Sequence, residues 1–237
     1  MNQPHTSLVD PRPNYFAERS YLKTDIPRGT IHTRNGARMC VLTSDFLLGL
    51  HRAITHECGI AAEEVLKKCG KKWGQQTAKR FAQQMQEYYG IPLSEFPRST
   101  FEACLIESFS HHGWGKLELD WTQHGQGLII AVVEHAIYAD ILPPTERPAD
   151  PMLAGLLGGF FSELSGEPLV GIQTSYPTQD AAYSHFIVGR GTRLQKVDAL
   201  LKQGRKHEVI VEELAKIRDL PWVRHLSRSP RLLRKQP

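Results

Sequence analysis

The sequence predicts an α+β fold in which an antiparallel sheet, built from β-hairpins, packs against helices. Three observations predict it. Lys116–Trp121 alternates polar and apolar residues and is followed, after a glycine-rich turn, by the apolar run Leu128–Val133. A second pair of strand-like stretches, Leu169–Tyr176 and Ala182–Val188, lies further on. Between the two pairs runs an apolar helical stretch split by Gly158-Gly159.

The elements follow in order. Residues 1–27 are rich in proline and polar groups with no sustained period, and read as an arm that drapes over the domain or stays loose. Thr30–Thr33 and Arg38–Val41 flank Asn35-Gly36, the pair best suited to the positive φ angles of a type I′ turn. From an N-cap at Ser44, Phe46, Leu47, Leu50, Ala53 and Ile54 recur at helical offsets, and the helix ends before Gly59. A second helix is expected from Ala61 to Lys68, stopped by Gly70, and a third, glutamine-rich, from Lys72 to Tyr89, stopped by Gly90. Pro92–Pro97 reads as a loop.

Ser99 and Glu102 have capping-box spacing ahead of the apolar face Phe101, Cys104, Leu105 and Phe109. That helix ends at His111-His112-Gly113. Lys116–Trp121 then reads as a half-exposed strand and Leu128–Val133 as its partner, buried on both faces, with the turn at His124–Gly127. Pro143–Pro151 is a loop whose end, Asp150-Pro151, supplies an N-cap and a proline for the first helical turn. The helix carries Leu153, Leu156, Leu157, Phe160, Phe161 and Leu164. Each glycine of its central pair costs about 1 kcal/mol relative to alanine, so the pair is expected to admit another backbone or a ligand. After the second hairpin, helices near 192–203 and 207–218 complete a domain bounded at 28–220, and 221–237 form a basic tail.

With 237 residues and 41% hydrophobic content, one domain can bury a substantial core. Cys40, Cys58, Cys69 and Cys104 have no CxxC spacing and are expected to be free thiols of a cytoplasmic protein, with peripheral membrane association left open. The N-terminus has neither a basic start nor an apolar run, and no stretch reaches the ~18 apolar residues of a membrane span. The net charge of +4 is located in the tail: removing Arg224, Arg228, Arg231, Arg234 and Lys235 leaves −1. DNA binding is therefore not expected. The tail could touch an acidic partner, RNA or a lipid surface, and the tail or the arm a protein partner, but a run of this length is more often a solvated terminus.

Motifs for catalysis are missing. His51 and His56, five apart on a helix, diverge, so no metal pair is expected, and His111-His112 at a helix end suits carbonyl capping. No GxSxG elbow, P-loop or dinucleotide fingerprint occurs in its required setting, and Glu118 and Asp120 read as a solvated strand face. No catalytic residue is assigned. The candidate ligand-binding residues are Phe101, Cys104, Trp114, Tyr138, Phe160, Phe161, Tyr176 and His185, large or polarisable groups on elements expected to meet at the centre. An ordinary aromatic core is the competing explanation.

The order of motifs resembles the 4-vinyl reductase-type domain family. The likeness spans about residues 28–190. It is carried by Pro27 to Phe46 (PRGTIHTRNGARMCVLTSDF), a helix pair, Gly113-Trp114-Gly115, a hairpin, an apolar glycine-bearing helix and a hairpin ending in Ser184-His185-Phe186. The resemblance implies an α+β ligand-binding domain, homodimeric, serving as an accessory or sensor protein for a tetrapyrrole or aromatic compound, with a link to (bacterio)chlorophyll metabolism or photosystem assembly. It also implies a zinc site in many members, at positions that are Gln173, Tyr176 and Ser184 here. An amide, a phenol and a hydroxyl are poor zinc ligands at neutral pH, so zinc is not expected.

Three readings follow. The first is a binding module for a small apolar ligand. The second is a reductase of a vinyl group on a chlorophyll precursor, ranked lower because no nucleotide site or iron–sulfur cysteine set is present. The third is a structural subunit resembling a ring-forming cellulose synthase accessory subunit, through Gly113–Asp120 and the helix at 152–164.

Overall fold

Leu22–Asp25 (β1) pairs antiparallel with Thr30–Thr33 (β2), which pairs with Arg38–Met39 (β3). The structure is a computed structural model, described for residues 12–17, 21–142, 150–176 and 183–217. The expected tail at 221–237 and the loop from Pro143 to Ala149 lie outside these residues. β1 has no counterpart in the sequence reading, because its four residues are exposed or half-buried and carry no apolar alternation. The β2–β3 turn corrects the expected type I′ geometry. Only Gly36 takes a positive φ, 87°. The Thr33 carbonyl accepts from Gly36 N at 2.9 Å, and Thr33 N donates to the Ala37 carbonyl at 2.9 Å. That is a three-residue loop ending in a left-handed glycine. Asn35 holds it from the side, accepting from Thr33 Oγ1 at 2.6 Å and from Gln84 Nε2 at 2.9 Å.

Ser44–Cys58 forms α1, capped by Thr43 rather than Ser44. One continuous helix, Ala62–Tyr89 (α2), replaces the two expected on either side of Gly70. Arg98–His111 (α3) begins one residue before Ser99 and has no side-chain cap, so the expected capping box does not form. Lys116–Asp120 (β4) and Leu128–Glu134 (β5) make the first long hairpin, followed by the short helix Ile137–Ile141 (α4). Pro151–Ser165 (α5) is capped as expected, with Asp150 Oδ1 accepting from Leu153 N at 2.8 Å. Leu169–Ser175 (β6) and Tyr183–Arg190 (β7) make the second hairpin. The helix expected at 192–203 is broken into Gly191–Leu194 (α6) and Val197–Lys202 (α7), and His207–Lys216 (α8) follows.

The main sheet is antiparallel throughout, in the order β4-β5-β7-β6. Strand alternation divides it into two faces. Ile129, Ala131, Val133, Phe186 and Val188 point to the main core with α2, α3 and α5. Leu128, Ile130 and Ile187 point the other way and pack with Leu194, Val197, Ile210 and Leu214 of the C-terminal helices. Buried Arg193 fixes the end of α8 by donating to the carbonyls of Leu214 at 2.8 Å and Ile217 at 2.9 Å. The main core reaches ahead of residue 28: Tyr15, Phe16 and Tyr21 are buried in it, and Phe16 stacks on Phe81 with ring centroids 5.4 Å apart.

Glycine decides how α2 and α5 meet. A Cβ on Gly155 would lie 2.9 Å from Lys71 N and one on Gly159 2.9 Å from the Lys71 carbonyl carbon, with carbonyl oxygens closer still. On the other helix, Gly70 faces Met152 and Gly74 faces Leu156 in the same way. Two glycines four apart on each helix thus let the backbones touch. Gly70 is therefore a packing residue rather than a helix stop. On its far side α5 meets β6 as closely: a Cβ on Gly158 would come within 2.9 Å of the Val170 carbonyl carbon. Ser162 Oγ ties the two together, accepting from Leu169 N at 2.8 Å.

Candidate functional site

α5 is buried from Leu153 to Ser162, Asp150 just ahead of it is buried as well, and a polar cluster satisfies the helix N-terminus. Asp150, with none of its surface exposed, caps the helix through Oδ1. Its backbone N–H donates to Gln173 Oε1 at 2.8 Å, and Gln173 Nε2 donates to Ser184 Oγ at 3.2 Å. The chain thus runs from the helix cap across β6 to β7. Two atoms of the cluster are left over: among the described residues, Asp150 Oδ2 and the hydroxyl of buried Tyr138 have no hydrogen-bond partner. Burial pushes the Asp150 carboxyl up to about 7, against the weaker opposing influence of the backbone N–H groups of Leu153 and Tyr138. Burial first, and then the Asp150 charge, raises the Tyr138 phenol. Near neutral pH this carboxyl can donate as well as accept.

Gln173 and Ser184 are two of the three positions at which the resemblance places zinc ligands. Both ends of the Gln173 amide are engaged by the protein, and neither side chain offers a charged donor. The residues do not fit zinc. Tyr176, the third position, is half-buried at the end of β6. Among the described residues, no three His, Cys, Asp or Glu side chains gather as a metal-ligand set.

The other sequence-predicted site residues fall into separate groups. Phe101, Phe160 and Phe161 lie in the main core, where Phe81 meets Phe101 at 5.8 Å and Phe160 at 5.6 Å, and Phe161 meets Phe160 at 5.5 Å, all edge-on. Cys104 is buried beside them, its Sγ 3.6 Å from the Tyr89 hydroxyl, and burial raises its thiol pKa. Trp114 is buried against Trp73 and Phe109, with centroids 4.7 and 5.0 Å away. Tyr138 packs on His51 of α1 at 5.4 Å.

His185 lies apart from them. Strand parity turns it to the opposite face from Ser184 and Phe186, where its Nδ1 is 2.7 Å from Ser175 Oγ and its ring lies 4.4 Å from that of His207. His207 in turn pairs with Thr174 Oγ1 at 2.7 Å, and burial, then the neighbouring His185, lowers it to about 4. His112 takes the expected capping role, its Nδ1 2.6 Å from the Ser108 carbonyl of α3. Asp150 was legible only as a cap. The sign that it is buried was the uniformly apolar helix behind it.

A shallow cleft of about 380 Å³ opens where α2 passes the C-terminal end of α5, lined by Ala78, Ala82, Leu93 and Leu164, with Lys79 and Glu163 paired at 3.7 Å.

No family model and no curated protein matches the chain. Solved structures do. The phenol-responsive sensory domain of the transcription activator PoxR, crystallised with phenol, is similar with a TM-score of 0.60 at 15% identity, covering 77% of this chain and 90% of that one. The two share a fold. A vinyl-4-reductase family protein from Methanocaldococcus jannaschii is similar with a TM-score of 0.44 at 16% identity, over 63% of this chain and 82% of that one. The corresponding values for trafficking protein particle complex subunit 3 from Naegleria fowleri, bound covalently to palmitic acid, are 0.46, 15%, 62% and 93%. Scores this low carry no argument about the present chain.

Proposed function

We propose that this chain is a small-molecule-binding domain of the 4-vinyl reductase type, acting as a sensor or accessory protein rather than as a catalyst. Its ligand is an apolar, ring-sized compound bearing one hydroxyl. The observation that carries this is the pair of buried oxygens, Asp150 Oδ2 and Tyr138 Oη, that have no partner among the described residues, beside the buried cap of α5. An unsatisfied buried polar group costs about 1–3 kcal/mol, which a ligand hydroxyl recovers by bridging the two. The fold shared with a phenol-responsive sensory domain supports the same ligand class.

The test is thermal shift and calorimetry on the full chain with phenol, toluene and a porphyrin. Phenol should raise the melting temperature and toluene should do so less. Asp150→Asn, which keeps the cap, and Tyr138→Phe should each weaken phenol binding about tenfold, the loss of about 1.4 kcal/mol. Equal responses to phenol and toluene, or phenol binding untouched by both variants, would refute the reading. Preferential porphyrin binding would move the ligand to the larger class.

A further inference from the structure

We infer that one end of the three-stranded sheet β1–β2–β3 is a docking surface for an anionic lipid bilayer, with Ile26 and Val41 entering the headgroup layer and Lys23, Arg28 and Arg38 meeting its charge. The strand register brings these residues together. Arg38 lies opposite His32 and Met39 opposite Ile31, so β3 runs back toward the turn that joins β1 to β2. The chain therefore leaves β3 at the same end of the sheet as that turn, Ile26–Gly29, which closes with Gly29 N donating to the Ile26 carbonyl at 3.0 Å. With β2 between them, the two crests stand about 10 Å apart. Each crest holds an apolar side chain in water: Ile26 is 77% exposed and Val41 76%. Leu42 and, in the first turn of α1, Phe46 are exposed beside them. Ile26 occupies the first position of its turn, where Asp, Asn and Ser are the usual residues, so the turn gives no reason for it.

The charges choose the partner's sign. Lys23, His32 and Arg38 lie opposite one another on the three strands, and so on one face, with no acid in the row. Lys23 and Arg38 are exposed, and Arg38 reaches on to the turn, donating to the Gly29 carbonyl at 3.2 Å. Arg28 extends from the turn itself, its side chain 83% exposed, and Asp25 lies 3.6 Å from it. Residues 22–44 carry four Lys or Arg side chains against that one acid, whereas the other residues before 220 are acidic overall. An excess of positive charge confined to one end of the body suits an anionic partner. The apolar crests then choose among anionic partners. Single-stranded nucleic acid is gripped by aromatic faces, and the side chains that stand out furthest here are aliphatic. A bilayer takes aliphatic side chains into the boundary between headgroups and acyl chains while cations hold the lipid phosphates.

The full chain should co-sediment with phosphatidylcholine vesicles that contain phosphatidylserine and not with phosphatidylcholine alone, and added salt should release it. Ile26→Ser combined with Val41→Ser changes exposed side chains only, so the melting temperature should hold while vesicle affinity falls about tenfold or more. Lys23→Glu reverses one exposed charge and should cost about 25-fold, at about fivefold for each unit of charge. Failure to bind the anionic vesicles overturns the inference. Binding unchanged in both variants overturns it as well, because the contact then lies elsewhere, with the basic tail the first candidate. Binding that falls with Lys23→Glu but not with the paired serine substitutions marks a surface for a soluble polyanion and overturns the bilayer as its partner.

Discussion

Gly159→Ala is the most direct probe of what holds α2 against α5. Alanine is worth about 1 kcal/mol over glycine in a helix interior, so local propensity alone predicts stabilisation. The structure predicts the reverse. The new Cβ would sit 2.9 Å from the carbonyl carbon and 3.0 Å from the Cα of Lys71, and closer to its oxygen. These are backbone atoms of α2, which cannot rotate aside as a side chain can. Relief requires moving α2 away from α5, and Gly70, Gly74 and Gly155 hold that seam closed at three other points. Overpacking of this kind costs about 1–3 kcal/mol, and backbone neighbours put it at the upper end. The net loss is about 2 kcal/mol, or a fall in melting temperature of about 4–8 °C for a chain of this size. Urea unfolding followed by circular dichroism at 222 nm measures it. Lys71→Ala, which removes an exposed side chain and leaves the same carbonyl in place, should stay within about 0.5 kcal/mol of the parent. If Gly159→Ala melts at or above the parent temperature, the helices are not in backbone contact and the reasoning fails.

Phe16→Ala should cost about 3–5 kcal/mol in the same urea experiment, because its ring is 1% exposed and stacks on Phe81; a neutral result would detach the segment before residue 28 from the core. Acid titration should show two opposed effects. Asp150 has its pKa raised in the fold, so the stability it contributes is complete below its unfolded value near 4 and is lost as pH rises through about 7. His207 has its pKa lowered, so its contribution is complete above about 6.5 and is lost as pH falls through about 4. Melting temperatures of Asp150→Asn should therefore lose the decline between pH 4 and 7 and keep the loss in acid; a parent-like profile would remove Asp150 as its source.

The long strands were legible because they state their surroundings residue by residue. Lys116–Asp120 alternates and is half exposed, Leu128–Val133 is apolar and buried, and both lie where periodicity put them. Two other features were not legible, for opposite reasons. β1 pairs with β2 through its backbone while its own side chains are exposed or half-buried, so no pattern marks it. Gly70 looks locally like a stop, and only the helix it touches, some eighty residues further on, explains why α2 continues through it. Within the candidate site, parity along Ser184-His185-Phe186 already separated His185 from the core face, whereas the link from Asp150 through Gln173 to Ser184 joins three elements and has no local signature.

The glycine pair of α5 is where sequence and structure diverge with most consequence. Glycines amid large side chains suggested room for a ligand, but that room is filled by α2 on one side and β6 on the other. A helix gripped by backbone on both sides cannot shift to admit a guest along its middle. Its N-terminus also has backbone against it, at Gly70, but there a polar cluster adjoins the helix, two of its polar atoms have no partner among the described residues, and Tyr138 reaches outward to α1. A ligand that engages Asp150 and Tyr138 would therefore act at the end of α5 where polar groups, not only backbone contacts, meet the helix.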